Sequence, residues 1–201
     1  AMPHIWLLPW FPIIGRDRLA ALFAPLRYRL GVALSAWAPP DPSALALLRP
    51  WQGVLPAEDM SALLARAVLP KLVAALRALV VDPSDQRLDG FFGVMEWGAV
   101  LPAEAFVHLW TSEFFPKWLA VLEAWLGQQP DYEEITRWYI GWKGLFPEAL
   151  LAVPAITAAF NRCAYIYLSL LFLSLFHCYF DLSLSLFFTA ISISLCLCLS
   201  L

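Results

Sequence analysis

Val54-Leu55-Pro56-Ala57-Glu58 recurs 46 residues later as Val100-Leu101-Pro102-Ala103-Glu104. Pro70-Lys71-Leu72 returns at the same interval as Pro116-Lys117-Trp118. Pro25-Leu26-Arg27 precedes Pro70 by 45 residues, and Trp51, Trp97 and Trp142 follow one another at 46 and 45. Four markers with one period define a repeat of 45–46 residues, the length typical of helical-hairpin arrays. The expected fold is all-α: stacked helical hairpins in an α-solenoid-like array, because a lone hairpin leaves its apolar face uncovered. The period accommodates about three and a half units before an apolar C-terminal tail.

Local patterns agree with helices. A long first helix is expected from about Glu58 to Val80, with Leu72, Leu76, Leu79 and Val80 on one face. Its partner helix is expected to open at Asp82-Pro83, an N-cap followed by proline at the first helical position. Leu88, Phe91, Phe92 and Met95 form its apolar stripe. Asp41-Pro42 gives the same start signal, and Asp131 with Glu134 gives a capping box ahead of Ile135, Trp138, Tyr139, Trp142 and Leu145. The prolines at 25, 70 and 116 fall inside the longer helices, where each removes a backbone donor and clashes with the preceding turn. Each therefore kinks its helix or separates two shorter ones. Ala149 to Arg162 reads as the first helix of a fourth, unfinished unit.

Charge divides the chain in two. Of 29 charged residues, 28 lie in residues 1–163, and Asp181 alone lies beyond; all ten Trp also lie in the first part. Thirteen basic against fifteen acidic side chains leave that body nearly neutral, which argues against broad phosphate-backbone binding. One Cys, Cys163, borders the body, while Cys178, Cys196 and Cys198 lie in the tail, so no disulfide framework is expected and a reducing compartment fits. The chain opens on Ala1, and Met2 to Ile14 reads as hydrophobic protein interior rather than a signal peptide, since it has no basic n-region or cleavage site. The expectation is a start inside a larger protein.

Catalytic and cofactor motifs are missing from the sequence. His4, His108 and His177 are far apart, Cys196-Leu197-Cys198 lacks a second ligand pair, and no GxGxxG, GxxxxGK[ST] or GxSxG occurs. The expectation is therefore a non-enzyme with no cofactor and no metal. Glu133 with Arg137 and Glu113 with Lys117 read as solvated i,i+4 ion pairs. Trp51, Trp97 and Trp142 hold one repeat position and read as packing between units. Trp110, Trp118 and Trp125 share one helix, and one of them is a candidate to face a partner groove. Lys71 and Lys117 also hold matching positions, as solvated spacers or as a basic stripe. Lys71, Lys117, Trp118, Arg137 and Lys143 make up the candidate partner surface.

The wording of the units resembles a known family. Pro130-Asp131-Tyr132-Glu133-Glu134-Ile135-Thr136-Arg137-Trp138-Tyr139-Ile140-Gly141-Trp142-Lys143 is similar to a signature of the tuftelin-interacting protein family, as are Glu113 to Leu119, Asp41 to Trp51 and Leu19 to Trp37. These are G-patch splicing factors with a GCF C-terminal (GC-rich-sequence DNA-binding-factor-like) domain, and the resemblance covers about residues 5–162. It implies a nuclear pre-mRNA splicing protein acting in spliceosomal complex disassembly. The implied partners are spliceosomal proteins and, indirectly, a DEAH-box helicase. The helicase-activating G-patch does not occur in this sequence, so the resemblance implies a scaffold surface here. The alternative is a nucleic-acid-binding repeat domain using the basic repeat positions.

Residues 164–201 form a different kind of sequence. Runs such as Leu182-Ser183-Leu184-Ser185-Leu186 and Ile191-Ser192-Ile193-Ser194-Leu195 alternate as a CT-repeat nucleotide tract would encode them. The tail is read as a Leu/Ser-rich low-complexity segment translated from non-coding sequence. Leu182 to Leu201 is 20 uncharged residues, long enough to span a bilayer, and would be flagged as transmembrane. Its alternation is a strand period and no Lys or Arg flanks it, so a membrane anchor is the lesser reading. The mature transcript is expected to lack residues 164–201. A spliced message that encodes them overturns this reading.

Overall fold

A computed structural model describes residues 3–128 and 131–162. The tail, and with it both readings of residues 164–201, lies outside the described residues. The described part is helical, without strands, as the repeat requires. Two compact units divide the chain, Ala1–Lys117 and Trp118–Leu201.

The first unit opens with short helices α1 (Pro3–Leu7), α2 (Phe11–Ile14) and α3 (Arg16–Leu19). Leu7 is buried and Phe11 stacks on Phe23 with centroids 6.1 Å apart. Ile5, Trp6, Trp10 and Ile13 are exposed, so the stretch read as protein interior is mostly surface here. The reason is geometric: helices of four or five residues turn little more than one apolar side each toward their neighbours.

The hairpins follow. α4 (Phe23–Ala36) is followed by α5 (Ser43–Leu48). The next first helix runs as α6 (Ala57–Leu63), a π turn (Leu64–Val68) and α7 (Leu69–Ala78), and is followed by α8 (Asp89–Met95). The same succession repeats as α9 (Ala103–Leu109), a second π turn (Trp110–Phe114) and α10 (Phe115–Leu126).

The π turns answer the proline problem. Each lies 46 residues from the other and ends two residues before its proline, Pro70 or Pro116. Leu69 N–H donates to the carbonyl of Leu64, and Phe115 N–H to that of Trp110, both five residues back. An i→i+5 turn is wider than an α turn. It moves the preceding carbonyls away from the pyrrolidine ring and spares the helix the usual clash. Pro25 is handled differently, as the third residue of α4 after a 3₁₀ turn (Ala20–Leu22).

Core positions give the true register. Leu45, Leu48, Trp51 and Leu55 are buried, as are Phe91, Val94, Trp97 and Leu101, each 46 later. Leu64, Val68, Leu72 and Leu76 map on Trp110, Phe114, Trp118 and Leu122 at the same interval, all buried. Between α4 and α7, however, the interval is 42: Leu26, Leu30 and Leu34 correspond to Val68, Leu72 and Leu76. The loops account for the difference, since six residues separate Ala36 from Ser43 and ten separate Ala78 from Asp89. The match of Pro25 with Pro70 at 45 is therefore one of wording rather than of structural position.

Asp82 does not start a helix. Its carboxylate accepts from the backbone N–H (2.9 Å) and hydroxyl (2.6 Å) of Ser84. Gln86 then holds the loop, accepting from Asp82 N–H at 2.9 Å and donating to the carbonyls of Val80 and Arg87. The Gln86 bonds compete with a helical ladder, and α8 begins only at Asp89. Its buried residues are Phe91 and Val94, with Trp97 buried in the 3₁₀ turn that follows (Glu96–Ala99), while Phe92 is exposed; Val80, beyond the end of α7, is exposed too. Asp41 and Asp131 do stand at helix starts, although Pro42 takes the cap position of α5 and Asp131 bonds Glu133 rather than forming the box expected with Glu134. Asp41 accepts from Ser43 N–H at 2.9 Å at the start of α5, and Asp131 caps α11 (Tyr132–Gly144) by accepting from Glu133 N–H at 2.9 Å.

In the second unit, α10 and α11 meet through aromatic rings. Trp118 stacks on Trp138 at 5.2 Å and 8°, and Trp125 meets Trp138 edge-on at 5.8 Å. Phe160 packs edge-on against Trp118 and Phe146. The expected fourth first helix is broken: α12 (Glu148–Leu151) stops, and residues 154–162 form a new helix starting at Pro154. Trp51, Trp97 and Trp142 are all buried, as packing residues should be.

Two glycines separate space from propensity. A Cβ on Gly98 would sit 2.8 Å from the Phe106 ring, whereas one on Gly141, inside α11, would meet nothing within 4 Å. Gly98→Ala is expected to destabilise the chain by about 1–3 kcal/mol. Gly141→Ala is expected to stabilise it by about 0.5–1 kcal/mol through helix propensity. Urea unfolding of both variants checks the opposite signs.

Candidate functional site

The two repeat lysines have one job. Lys71 Nζ donates to the carbonyls of Leu34 (2.7 Å), Ser35 (2.8 Å) and Trp37. Lys117 Nζ donates to those of Leu76, Arg77 (3.2 Å) and Leu79 (2.6 Å). The acceptors are the last residues of α4 and α7 and the residue that ends each helix. An α-helix leaves its final carbonyls without partners, and a cation there also meets the negative end of the helix dipole. Each lysine thus caps the first helix of the preceding hairpin. Lys71 also lies over the Trp37 ring, 5.8 Å from its centroid, and Trp37 Nε1 donates to the Asp41 carbonyl at 2.6 Å. Burial pulls the Lys117 ammonium below the ordinary lysine range, with Glu113 opposing the shift.

The sequence reads the two lysines as solvated spacers or as a basic stripe; the structure shows two caps. Trp118 is also buried, against Trp138, and presents no surface in the described structure. Arg137 is exposed on α11, and its Nε reaches the carbonyl of Glu133 at 3.4 Å rather than the carboxylate expected to pair with it. Lys143 is half-buried in the last turn of the same helix. Lys71 and Lys117 belong to the first unit, and Trp118, Arg137 and Lys143 to the second.

Glu113 takes a distant partner in place of Lys117. Arg77 clasps it with two bonds, Nε to Oε2 at 2.7 Å and Nη2 to Oε1 at 3.1 Å. The Arg77 hydrogen bond holds the Glu113 carboxyl below the usual carboxylate range, with burial opposing and the charges of Arg77, Lys117 and His108 assisting. A lowered carboxyl stabilises the fold above the ordinary Glu range, and that contribution fades as pH falls through the folded value. Arg27 pairs likewise with Asp59 across α4 and α6.

The cleft between α4 and the helix 57–78 is what sequence reading missed. It encloses about 790 Å³ and is walled by Tyr28, Val32 and Ser35 on one side and Leu63, Arg66 and Ala67 on the other. Its one signal in the sequence was the pair of small residues Gly31 and Ser35 at helical spacing. Among the described residues no three His, Cys, Asp or Glu side chains cluster as metal ligands. No described helix is long and apolar enough to cross a membrane.

Comparison with known proteins gives the lineage. The profile of GC-rich sequence DNA-binding factor-like proteins matches residues 1–122. The chain belongs to that family. It is also similar to Tuftelin-interacting protein 11 of Rattus norvegicus and of Mus musculus, 42% identical over 159 residues, and to that of Gallus gallus at 40%. The similarity covers 79% of this chain and 19% of each relative, so the chain spans about a fifth of the length of the curated relatives it matches. The resemblance to the tuftelin-interacting protein family, carried by Pro130–Lys143 and the three other segments, is borne out over that span. The relatives are named as interacting proteins, not as enzymes.

The caps can be tested directly. Lys117→Met and Lys71→Met keep the apolar stem and remove the donor. Each is expected to lower unfolding stability by about 1–3 kcal/mol, the cost of stranding part-buried carbonyls. Arg137→Ala, on an exposed helix face, is expected to change it by less than about 0.5 kcal/mol.

Proposed function

We propose that this chain is a non-catalytic protein–protein scaffold of a nuclear pre-mRNA splicing factor, acting in spliceosome disassembly. The observation that carries the scaffold reading is the use of Lys71 and Lys117. The cations best placed to form a phosphate-binding stripe are consumed in helix caps. A nucleic-acid binder needs cations free to displace counterions. The splicing role rests on the family resemblance and on relatives named for an interaction. The partners are spliceosomal proteins, with a DEAH-box helicase reached indirectly through other parts of the factor.

A purified chain is expected to capture spliceosomal proteins from nuclease-treated nuclear extract at physiological salt. Its RNA affinity is expected to be no better than the ~10⁻⁴ to 10⁻⁶ M of non-specific binding. Loss of every splicing protein on nuclease treatment, with tight RNA binding that falls steeply with salt, overturns the reading in favour of a nucleic-acid binder.

A further inference from the structure

The open cleft of the first unit has an internal control. Lys71 bonds the Ser35 carbonyl as Lys117 bonds that of Arg77, so Ser35 and Arg77 hold equivalent places. Ala67 and Glu113 are equivalent at the 46-residue interval, each in fourth place of its π turn. Where the seam between the second and third hairpins has Arg77 bonded to Glu113, the seam between the first and second has Ser35 and Ala67, both lining the cavity. Two small side chains stand where a clasp would close the seam.

The walls of this cleft are apolar and exposed. Tyr28 is 75% and Val32 53% accessible, one helical turn apart on α4. The opposite wall runs from Asp59 to Pro70, a helical length of roughly 16 Å, or three turns. Three cations and one anion face the space. Arg27 is paired with Asp59, and Lys71 is bound to three carbonyls. Arg66 is exposed, on the π turn, with no hydrogen bond or ion pair among the described residues. The free charge of the cleft is positive and lies midway along it.

We propose that this cleft docks a short amphipathic helix from a partner protein, its apolar residues covering Tyr28 and Val32 and its carboxylate pairing with Arg66. Charge selects the occupant: an acidic guest meets an unpaired guanidinium, and a basic one meets like charge. At the next seam the chain itself supplies a carboxylate at the position equivalent to Ala67, Glu113, and a guanidinium, Arg77, pairs with it. Small residues at Gly31, Ser35, Ala62 and Ala67 let a guest backbone approach closely. The proposal rests on the scaffold reading for the class of partner and specifies where that partner sits.

The test uses the full chain and a displayed library of about 14-residue Ala-based helices with a randomised face, long enough for three turns. Selected helices are expected to carry two apolar residues four apart and an Asp or Glu between or beside them. Arg66→Glu and Val32→Asp, both at exposed positions, are expected to weaken binding tenfold or more. Lys in place of the guest acid is expected to restore binding to the Arg66→Glu chain. Ser35→Arg with Ala67→Glu installs the clasp of the second cleft, and is expected to block binding while leaving the thermal midpoint unchanged or higher. Helices that bind the clasped chain or the Arg66→Glu chain undiminished overturn the groove, as does an oligoribonucleotide that alone competes for it. Capture of splicing proteins by the Arg66→Glu chain at the original level overturns the groove for those partners and leaves the scaffold reading standing.

Discussion

The last carbonyls of an α-helix find no partner inside that helix, and a repeat array must satisfy them at every seam. Here the solution is a lysine drawn from the following hairpin, Lys71 for α4 and Lys117 for α7. One ammonium meets three carbonyls in each case, so the bond set fixes how far one helix slides along the next. The same contact defines the register: acceptors at the same spacing, first, second and fourth, identify Leu34 with Leu76 and Trp37 with Leu79. Burial then follows, with Leu30 and Leu34 matched to Leu72 and Leu76 in the core. A charged side chain holds the stack together because its donors have nowhere better to go. It is half-buried, above a tryptophan ring in one case, and beside the negative ends of two helices.

Proline immediately before each lysine makes this cap possible. A proline two residues into an α segment has no N–H to waste, but its ring presses on the turn behind it. The π turns at Leu64–Val68 and Trp110–Phe114 widen that turn and let the helix continue. Without them, α6 with α7 and α9 with α10 would part at the proline, and the lysine that follows would lose its aim at the neighbouring helix end. Proline, π turn and capping lysine are one device, and the Pro-Lys pair is its visible remnant in the sequence.

Much of this was legible before the structure. The 46-residue interval, the all-helical class and the burial of Trp51, Trp97 and Trp142 follow from repeated wording and apolar spacing. The cap lysines were legible as positions and not as roles. A lysine on a helix reads as solvated unless the end of another helix is known to lie beside it, which is a tertiary fact. The Asp82 start signal failed for a local reason: Gln86 bonds Val80, Asp82 and Arg87 and holds the segment outside a helix. The four-residue difference between the loops after α4 and α7 hid the 42-residue register, because the prolines at 25 and 70 offered a nearer, misleading match. Glu113 illustrates the same limit of local reading: Lys117 is four residues away on the chain, yet the clasp goes to Arg77.

The candidate groove arises from the element that solves the proline problem. Each π turn places its fourth residue at the seam in front of it, Ala67 in one and Glu113 in the other, and the first also places Arg66 there. The backbone requirement fixes the positions, and their chemistry is free to differ. One seam is closed by Glu113 and Arg77. The seam before it has small residues, Ser35 and Ala67, at the same places and leaves Arg66 unpaired beside an apolar wall. Such differences at seam positions change the surface while leaving the caps and the buried tryptophans untouched. A repeat array can thus acquire a specific docking site by omission, at the one place where its architecture already separates two helices.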